Sequence, residues 1–296
     1  MVKNNPVSGQ PCPPISVGLM AELDALTASE SHVARTILAD HPMAGLDSIS
    51  TLAARAGVSA PTVLRFASKL GFARWPQFQA LLRKEVSERL TSPLTVYDHR
   101  PAKRGPVEQA ASQTIVLKGL ETTFERLKPN VLDQAVGMLT DPRANFHVIG
   151  GRFSTALGVY LSTHLQMLRP NVRLVPEIPL HRNTSLLDMG RGDVVVALDF
   201  RRYQIDTIDF RRAAAGRGAR IILLTDPWLS PLVGSARLVI AVDVTSPSPF
   251  DSFVSALAVL ELLICRIGES MGPRSVKRLR AHDSLNNDLI FHSGES

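Results

Sequence analysis

Ser48-Ile-Ser-Thr-Leu-Ala-Ala-Arg-Ala-Gly-Val-Ser-Ala-Pro-Thr-Val-Leu-Arg-Phe-Ala-Ser-Lys-Leu-Gly-Phe72 reads as two short helices meeting at a glycine corner. Asp47 or Ser48 stands before Ile49, where a side-chain oxygen can accept one of the orphan N–H groups of a helix start. Gly57 ends that helix, because the left-handed backbone that closes a tight turn costs glycine little. Val58 plugs the corner. Ser59 caps the next helix, and Pro61 sits in its first turn, where a missing N–H leaves no intrahelical bond unmade. Helix, glycine turn and capped second helix make a helix-turn-helix. In the second helix Val63, Phe66, Ala67 and Leu70 recur at intervals of three and four and are expected to pack inward. Ser59 at its start and Thr62, Arg65 and Lys69 on the opposite stripe, with Arg74 beyond, are expected to face outward. They offer hydroxyl, guanidinium and ammonium donors to base edges and phosphates of a DNA duplex.

Charge points the same way. From Ser48 through Lys84 there are six basic residues (Arg55, Arg65, Lys69, Arg74, Arg83, Lys84) and no acidic one. The whole chain carries 33 Lys and Arg against 27 Asp and Glu, a net +6 that is compatible with a polyanionic partner without requiring one. A structural helical hairpin with a solvated basic face is the plainer alternative. Capping, turn chemistry, facing and charge all agree on the DNA-binding reading.

Outward from this segment, residues 16–92 keep a helical texture, with further boundaries at Ser29 beside Glu30, at His41-Pro42 and at Gly71. Residues 1 to about 15 read as a tail. Residues 93–106 are poor in periodic pattern and rich in proline, which reads as a linker. Helical segments follow over Val107 to about Leu127 and Pro129 to Leu139. Then the texture changes to short apolar runs: Phe146–Gly150, Val172–Val175, Asp193–Leu198, Arg220–Thr225 and Arg237–Val242. Most are separated by helical segments. Strands apolar on both faces and alternating with helices imply a parallel sheet in a three-layer α/β sandwich over residues 107–280.

The run from Val58 to Phe72, continued by Ala73-Arg-Trp-Pro-Gln-Phe-Gln79, closely resembles the recognition region of the RpiR/MurR family of transcriptional regulators. Ser59, Thr62, Val63, Arg65, Phe66, Leu70, Gly71, Phe72 and Phe78 match its pattern, whereas Gln77 stands where an acid is usual. The resemblance implies a C-terminal SIS (sugar isomerase) domain that binds a sugar phosphate or another small anion. Its first ligand loop would be Gly151, Arg152, Ser154 and Thr155, a βα turn of the kind that presents N–H groups to phosphate. Its second would follow the strand at Val194, where relatives carry hydroxyl-rich S-x-S-G-x-[ST]. Here Asp199-Phe200-Arg201-Arg202-Tyr203 stands instead. Two readings follow. Arg201, Arg202 and Tyr203 could grip a more acidic anion. Alternatively the pocket is degenerate, with the arginines bridged to Asp199, Asp206 or Asp209. Thr225 lies in a third matching loop, whose Ser230-Pro231-Leu232 is expected to start a helix, and Ser246 lies where such domains complete the site.

A sugar-phosphate isomerase with a helical appendage is the runner-up. It would need a base beside a carbonyl, and Glu177, His164 and His181 are the candidates. Nothing pairs them by spacing, and no nucleophile elbow, phosphate-binding P-loop or metal spacing appears. The reading is therefore of a non-enzyme without cofactor or metal. A scaffold protein without DNA is a third class. Two cysteines, Cys12 and Cys265, form no framework, which favours a reducing cytoplasm. No apolar run is long enough for a membrane span. Paired recognition helices for a palindromic operator imply a homodimer or homotetramer. The apolar helix from Phe253 and the basic tail Arg274–Arg280 are candidates to support it.

Overall fold

A computed structural model describes residues 14–90, 92–98 and 106–290; the expected tail and Cys12 lie almost wholly outside them. The helical half consists of α1 (Ile15–Glu22), α2 (Ala28–Ala39), α3 (Met43–Leu46), α4 (Ile49–Ala56), α5 (Ala60–Lys69) and α6 (Trp75–Leu90). The cap of α2 is Thr27, not Ser29: its hydroxyl accepts from the Glu30 N–H while the Glu30 carboxylate accepts from the Thr27 N–H, a complete capping box. Ser48 caps α4, accepting from the Thr51 N–H at 3.1 Å. Gly57 has φ +65°, the left-handed corner between α4 and α5. Val33, Ile37, Leu52, Val63, Phe66, Phe78 and Leu82, all fully buried, fill the core beneath these helices.

The expected linker is not wholly irregular. It contains a short helix, α7 (Pro93–Asp98), since a proline at the first helical position needs no N–H partner; residues 99–105 lie outside the described residues. Next come α8 (Pro106–Arg126) and α9 (Pro129–Leu139). The α/β half runs β1 (Asn145–Gly150), α10 (Thr155–Leu168), β2 (Val172–Leu174), α11 (Pro179–Thr184), β3 (Asp193–Asp199), α12 (Ile205–Gly216), β4 (Arg220–Thr225), β5 (Leu238–Ala241), α13 (Val254–Met271) and α14 (Pro273–Ile290). All pairings are parallel, in the order β2-β1-β3-β4-β5. The order reverses between β1 and β3, so the loops leaving these two strands flank the crevice where open α/β sheets bind ligands. Ser230-Pro231-Leu232 does not open a helix: only a 3-10 turn, Val233–Ser235, follows.

Two buried arginines hold the sheet in place. Arg169 donates to the carbonyls of Leu139 (2.7 Å), Asp141 and Ala144 (both 3.1 Å), and its guanidinium lies 3.7 Å from the Phe146 ring centre. It thereby satisfies carbonyls at the end of α9 that have no helical partner; burial pulls its pKa down to about 10. Arg211 on α12 is fully buried and pairs with Asp199 at 2.9 Å, while the Ser230 hydroxyl donates to the other carboxylate oxygen. β3, α12 and the loop after β4 are therefore joined at one carboxylate.

The two halves touch. Leu229, 1% exposed, inserts from the loop after β4 into the core of the helical half, and the Ser16 hydroxyl donates to the Pro227 carbonyl at 2.6 Å. Two stability tests follow. Gly57→Ala should lower unfolding free energy by about 1 kcal/mol in chemical denaturation, because an L side chain is strained in that conformation although nothing crowds it. Arg211→Ala, which strands the Asp199 charge, should cost roughly 3–5 kcal/mol; the double change Arg211→Met with Asp199→Leu should recover most of it.

Candidate nucleic-acid interface and ligand site

On α5 the inward stripe is as its spacing predicts, with Val63, Phe66 and Ala67 buried. The outward face carries Pro61, Leu64, Arg65, Ser68 and Lys69. Thr62 is a correction. It lies four residues before Phe66, on the edge of the buried stripe, and is only 8% exposed. Its hydroxyl sits 2.9 Å from that of Ser59 and accepts from Arg65 Nη2 at 3.1 Å. Thr62 thus positions Arg65 rather than offering itself outward, while Ser59 is exposed as expected. Ser59 has the extended backbone of an N-cap, but its hydroxyl meets Thr62 in place of a backbone N–H.

The acid-free stretch is not acid-free in space. Lys69 Nζ donates to Glu30 at 2.9 Å and to the Ala25 carbonyl at 3.2 Å, and Lys69 is the main cause of the lowered Glu30 pKa. Arg55 bridges Asp40 and Asp47, each at 2.8 Å. Arg65 and Arg74 remain exposed and clear of carboxylates among the described residues. They border a surface concavity of about 320 Å³ whose wall includes Leu64, Ser68, Phe72 and Trp75. Trp75 stacks on Phe78 with ring centres 4.7 Å apart, which fixes this wall to the core. A guanidinium pair with an apolar floor between them suits a sugar-phosphate backbone running past a helix that enters a groove.

At the crevice of the α/β half, the Ser154 hydroxyl accepts from the Gly151 N–H at 2.8 Å and donates to the Leu198 carbonyl at 2.7 Å. It is buried and stitches the first loop to β3. The Arg152 N–H donates to Gln204 Oε1 at 2.6 Å, a second stitch; the Arg152 side chain is exposed, and Thr155 is the first residue of α10. Gly151 cannot gain a Cβ without pressing on Gln204 Oε1 at 3.3 Å.

Four more expected ligand residues are already occupied. Asp199 is 2% exposed and bound to Arg211 and Ser230, so it belongs to the sheet and not to a ligand loop. Thr225 is fully buried, its hydroxyl accepting from the Ser230 N–H. Ser246, half-buried, donates its hydroxyl to Ser248 within its own turn. Tyr203 is directed at the buried Asp226, to which its hydroxyl donates at 2.7 Å. Burial raises the Asp226 pKa to about 6 even though Tyr203 and the N–H groups of Arg201 and Trp228 all donate to it.

Arg201 is paired, but with none of the three acids weighed from the sequence. Its Nε contacts both Asp251 oxygens, at 2.8 and 2.7 Å. Burial works against its charge, and Asp251 outweighs that, leaving the Arg201 pKa raised. Asp206 and Asp209 pair instead with Arg182 and Arg212. Arg202, at φ +61°, is exposed and has no such partner among the described residues. Asp251 lies far off in sequence, and only the return of the chain after β5 brings it here. Of the catalytic candidates, His164 is committed to the Tyr160 carbonyl at 2.7 Å within α10. His181 and Glu177 are exposed, and His181 lies on the short helix α11 rather than in a loop.

No helix among the described residues is long and apolar enough to cross a membrane, and none of their His, Cys, Asp and Glu side chains gather in threes to hold a metal. Residues 18–89 match the model of the helix-turn-helix domain, rpiR family, and residues 138–266 match the SIS domain. The chain is 24% identical over 250 residues to the HTH-type transcriptional regulator HexR of Pseudomonas aeruginosa, covering 83% of this chain and 86% of HexR. It is 27% identical over 254 residues to HexR of Escherichia coli, covering 83% and 84%. The fold is shared with the sugar isomerase domain of an RpiR transcription factor from Sphaerobacter thermophilus (TM-score 0.53, 24% identity, 60% of this chain and 98% of that one). It is also shared with the Vibrio vulnificus NanR protein complexed with ManNAc-6P (TM-score 0.53, 19% identity, 93% and 99%). With an rpiR-type helix-turn-helix domain ahead of a SIS domain, the chain belongs to the RpiR family of DNA-binding transcriptional regulators.

Proposed function

We propose that this regulator reads a specific duplex operator through the exposed face of α5 and that a sugar phosphate or related small anion in the crevice of the SIS domain controls that binding. The observation that carries the first half is the exposed Arg65 and Arg74 flanking one concavity beside the recognition helix. Arg65 is pre-set by Thr62, which lowers the entropy its side chain would lose on contact. Leu64, 46% exposed beside it, supplies an apolar contact suited to a thymine methyl. Thr62 acts behind Arg65, Ser59 stays exposed at the start of α5, and Lys69, held by Glu30, contributes mainly to the domain's own stability.

The effector reading is supported by the crevice at the strand-order reversal and by a bidentate guanidinium in its second loop. The names of the relatives and the ManNAc-6P bound to NanR agree with it. Gly151, Arg152 and Thr155 at the α10 start and the exposed Arg202 are the remaining contacts of this site. We read the protein as non-catalytic, since His164 is tied down and neither Glu177 nor His181 faces a partner that would tune it as a base. The largely distinct cores, joined through Leu229, support taking 16–92 and 107–280 as the two units, and a cytoplasmic homo-oligomer presenting paired α5 helices completes the reading.

Arg65→Ala with Arg74→Ala should weaken binding to duplex DNA selected by the wild-type protein and flatten its salt slope by about 1 per lost phosphate contact. Its unfolding free energy should stay within about 0.5 kcal/mol of wild type. Lys69→Ala should show the reverse balance, a measurable loss of stability with the smaller loss of affinity; unchanged DNA binding in the double variant refutes the assigned face. For the effector, thermal-shift titration with hexose phosphates and sugar acids should find an anion that stabilises the wild type by about 2.7 kcal/mol at a hundredfold excess over Kd.

A further inference from the structure

Arg201 stands where the two halves of the molecule meet. Besides Asp251, its Nη1 donates to the Glu88 carbonyl of α6 at 2.9 Å, and its guanidinium lies 4.6 Å from the centre of the Trp228 ring. Glu88 is in the last turn of α6, where carbonyls have no helical donor, so Arg201 caps the helix from outside. A second attachment lies next to it: the Arg89 guanidinium sits 4.3 Å over the Tyr203 ring, and Tyr203 is itself fixed by Asp226. The end of α6 is therefore seated on the second crevice loop. The other end of α6 carries Trp75 and Phe78, packed in one core with Phe66 of α5. One rigid helix thus runs from the crevice loop to the recognition helix.

The partner of Arg201 is itself ligand-like. A carboxylate engaging a guanidinium through two oxygens has the geometry in which arginine grips a phosphate or a free carboxylate. Both side chains of the pair are 21% exposed, so solvent-borne anions can reach it. Asp251 comes from an irregular segment between β5 and α13, and its neighbour Phe250 is 64% exposed. Tyr203 and Asp226 face the same cluster but are bound to each other, and Glu88 engages Lys84 along its own helix.

We propose that Asp251 occupies an anion site on Arg201 as a built-in stand-in for the effector, and that an anion displacing it draws Arg201 off the Glu88 carbonyl and unseats α6. This rests on the effector reading above and adds to it the gripping group, the competitor and the route to the DNA-binding domain. The site takes an anion able to meet a guanidinium in bidentate fashion, either a phosphate or a carboxylate.

The test uses the full-length chain with inorganic phosphate and malonate as probes. In thermal-shift titrations Asp251→Ala should respond to at least one of them at about tenfold lower concentration than wild type, since removing the internal competitor frees the site. Arg201→Lys, which keeps the charge but loses the fork, and Asp251→Ala with Arg201→Ala should both lose that response. Amide hydrogen exchange over residues 82–90 should speed up about tenfold in Arg201→Lys and in wild type saturated with the responding anion. Equal titrations in wild type and Asp251→Ala, or exchange at the end of α6 indifferent to Arg201, would overturn the proposal. A sugar phosphate that stabilises wild type and Arg201→Lys alike would overturn it while leaving the effector reading intact. A strong response of Asp251→Ala to phosphate, with no sugar phosphate stabilising wild type, would support the site and sink the effector reading.

Discussion

A carboxylate at the end of β3 determines what the crevice of this molecule can be. Asp199 cannot be buried at 2% exposure without a compensating charge, and Arg211 on α12, itself without solvent contact, supplies it. Once those two are paired, the backbone leaving β3 has a fixed exit. Phe200 packs against Phe253, Arg201 meets Asp251, and the Ser230 hydroxyl ties the loop after β4 to the same carboxylate. That second loop in turn carries Leu229 into the core of the helical half. Removing one member of the charge pair would therefore disturb the sheet, the crevice and the seat of the DNA-binding domain together.

The helical half shows how local and tertiary electrostatics differ. An uninterrupted basic stretch in the sequence predicts a uniformly positive surface, and most of the helix boundaries inside it were legible because caps and glycine corners act over three or four residues. Its acids come from outside: Asp40 and Asp47 precede the stretch and fold back on Arg55, while Glu30 reaches Lys69 across 39 positions. Neutralising those two cations leaves Arg65 on α5 and Arg74 just beyond it as exposed, uncompensated charges, with Arg83 farther along on α6. Because exposed pairs are weak and screened, a duplex can still compete for Lys69 at low salt. The difference between the four residues is one of degree set by geometry, with Arg65 held ready and Lys69 held back.

In the α/β half, strand positions were readable almost to the residue, since runs such as Asp193-Val-Val-Val-Ala-Leu are apolar on both faces and only a sheet covered on both sides uses such strands. What was not readable is the state of the side chains at the strand ends. Thr225 and Ser154 look like phosphate ligands by type and position, yet their hydroxyls serve N–H and carbonyl groups of neighbouring loops, because a crowded βα edge leaves backbone polar groups that must be satisfied. The partner of Arg201 was missed for a simpler reason. Asp251 is 50 residues away, and no local pattern connects them.

By residue type alone, Asp-Phe-Arg-Arg-Tyr in the second loop is open to two readings, a new pocket or a lost one. In three dimensions its residues divide between those tasks. Asp199 has been drawn into the sheet, Tyr203 into a buried contact with Asp226, and Arg201 into a bridge between domains, while Arg202 alone faces solvent. A guanidinium can fill the bridging position because its five donors let one side chain hold a carboxylate on one edge and a helix carbonyl on the other. A serine has one proton to donate and could serve only one of them. The guanidinium therefore joins the crevice to the helix that supports α5.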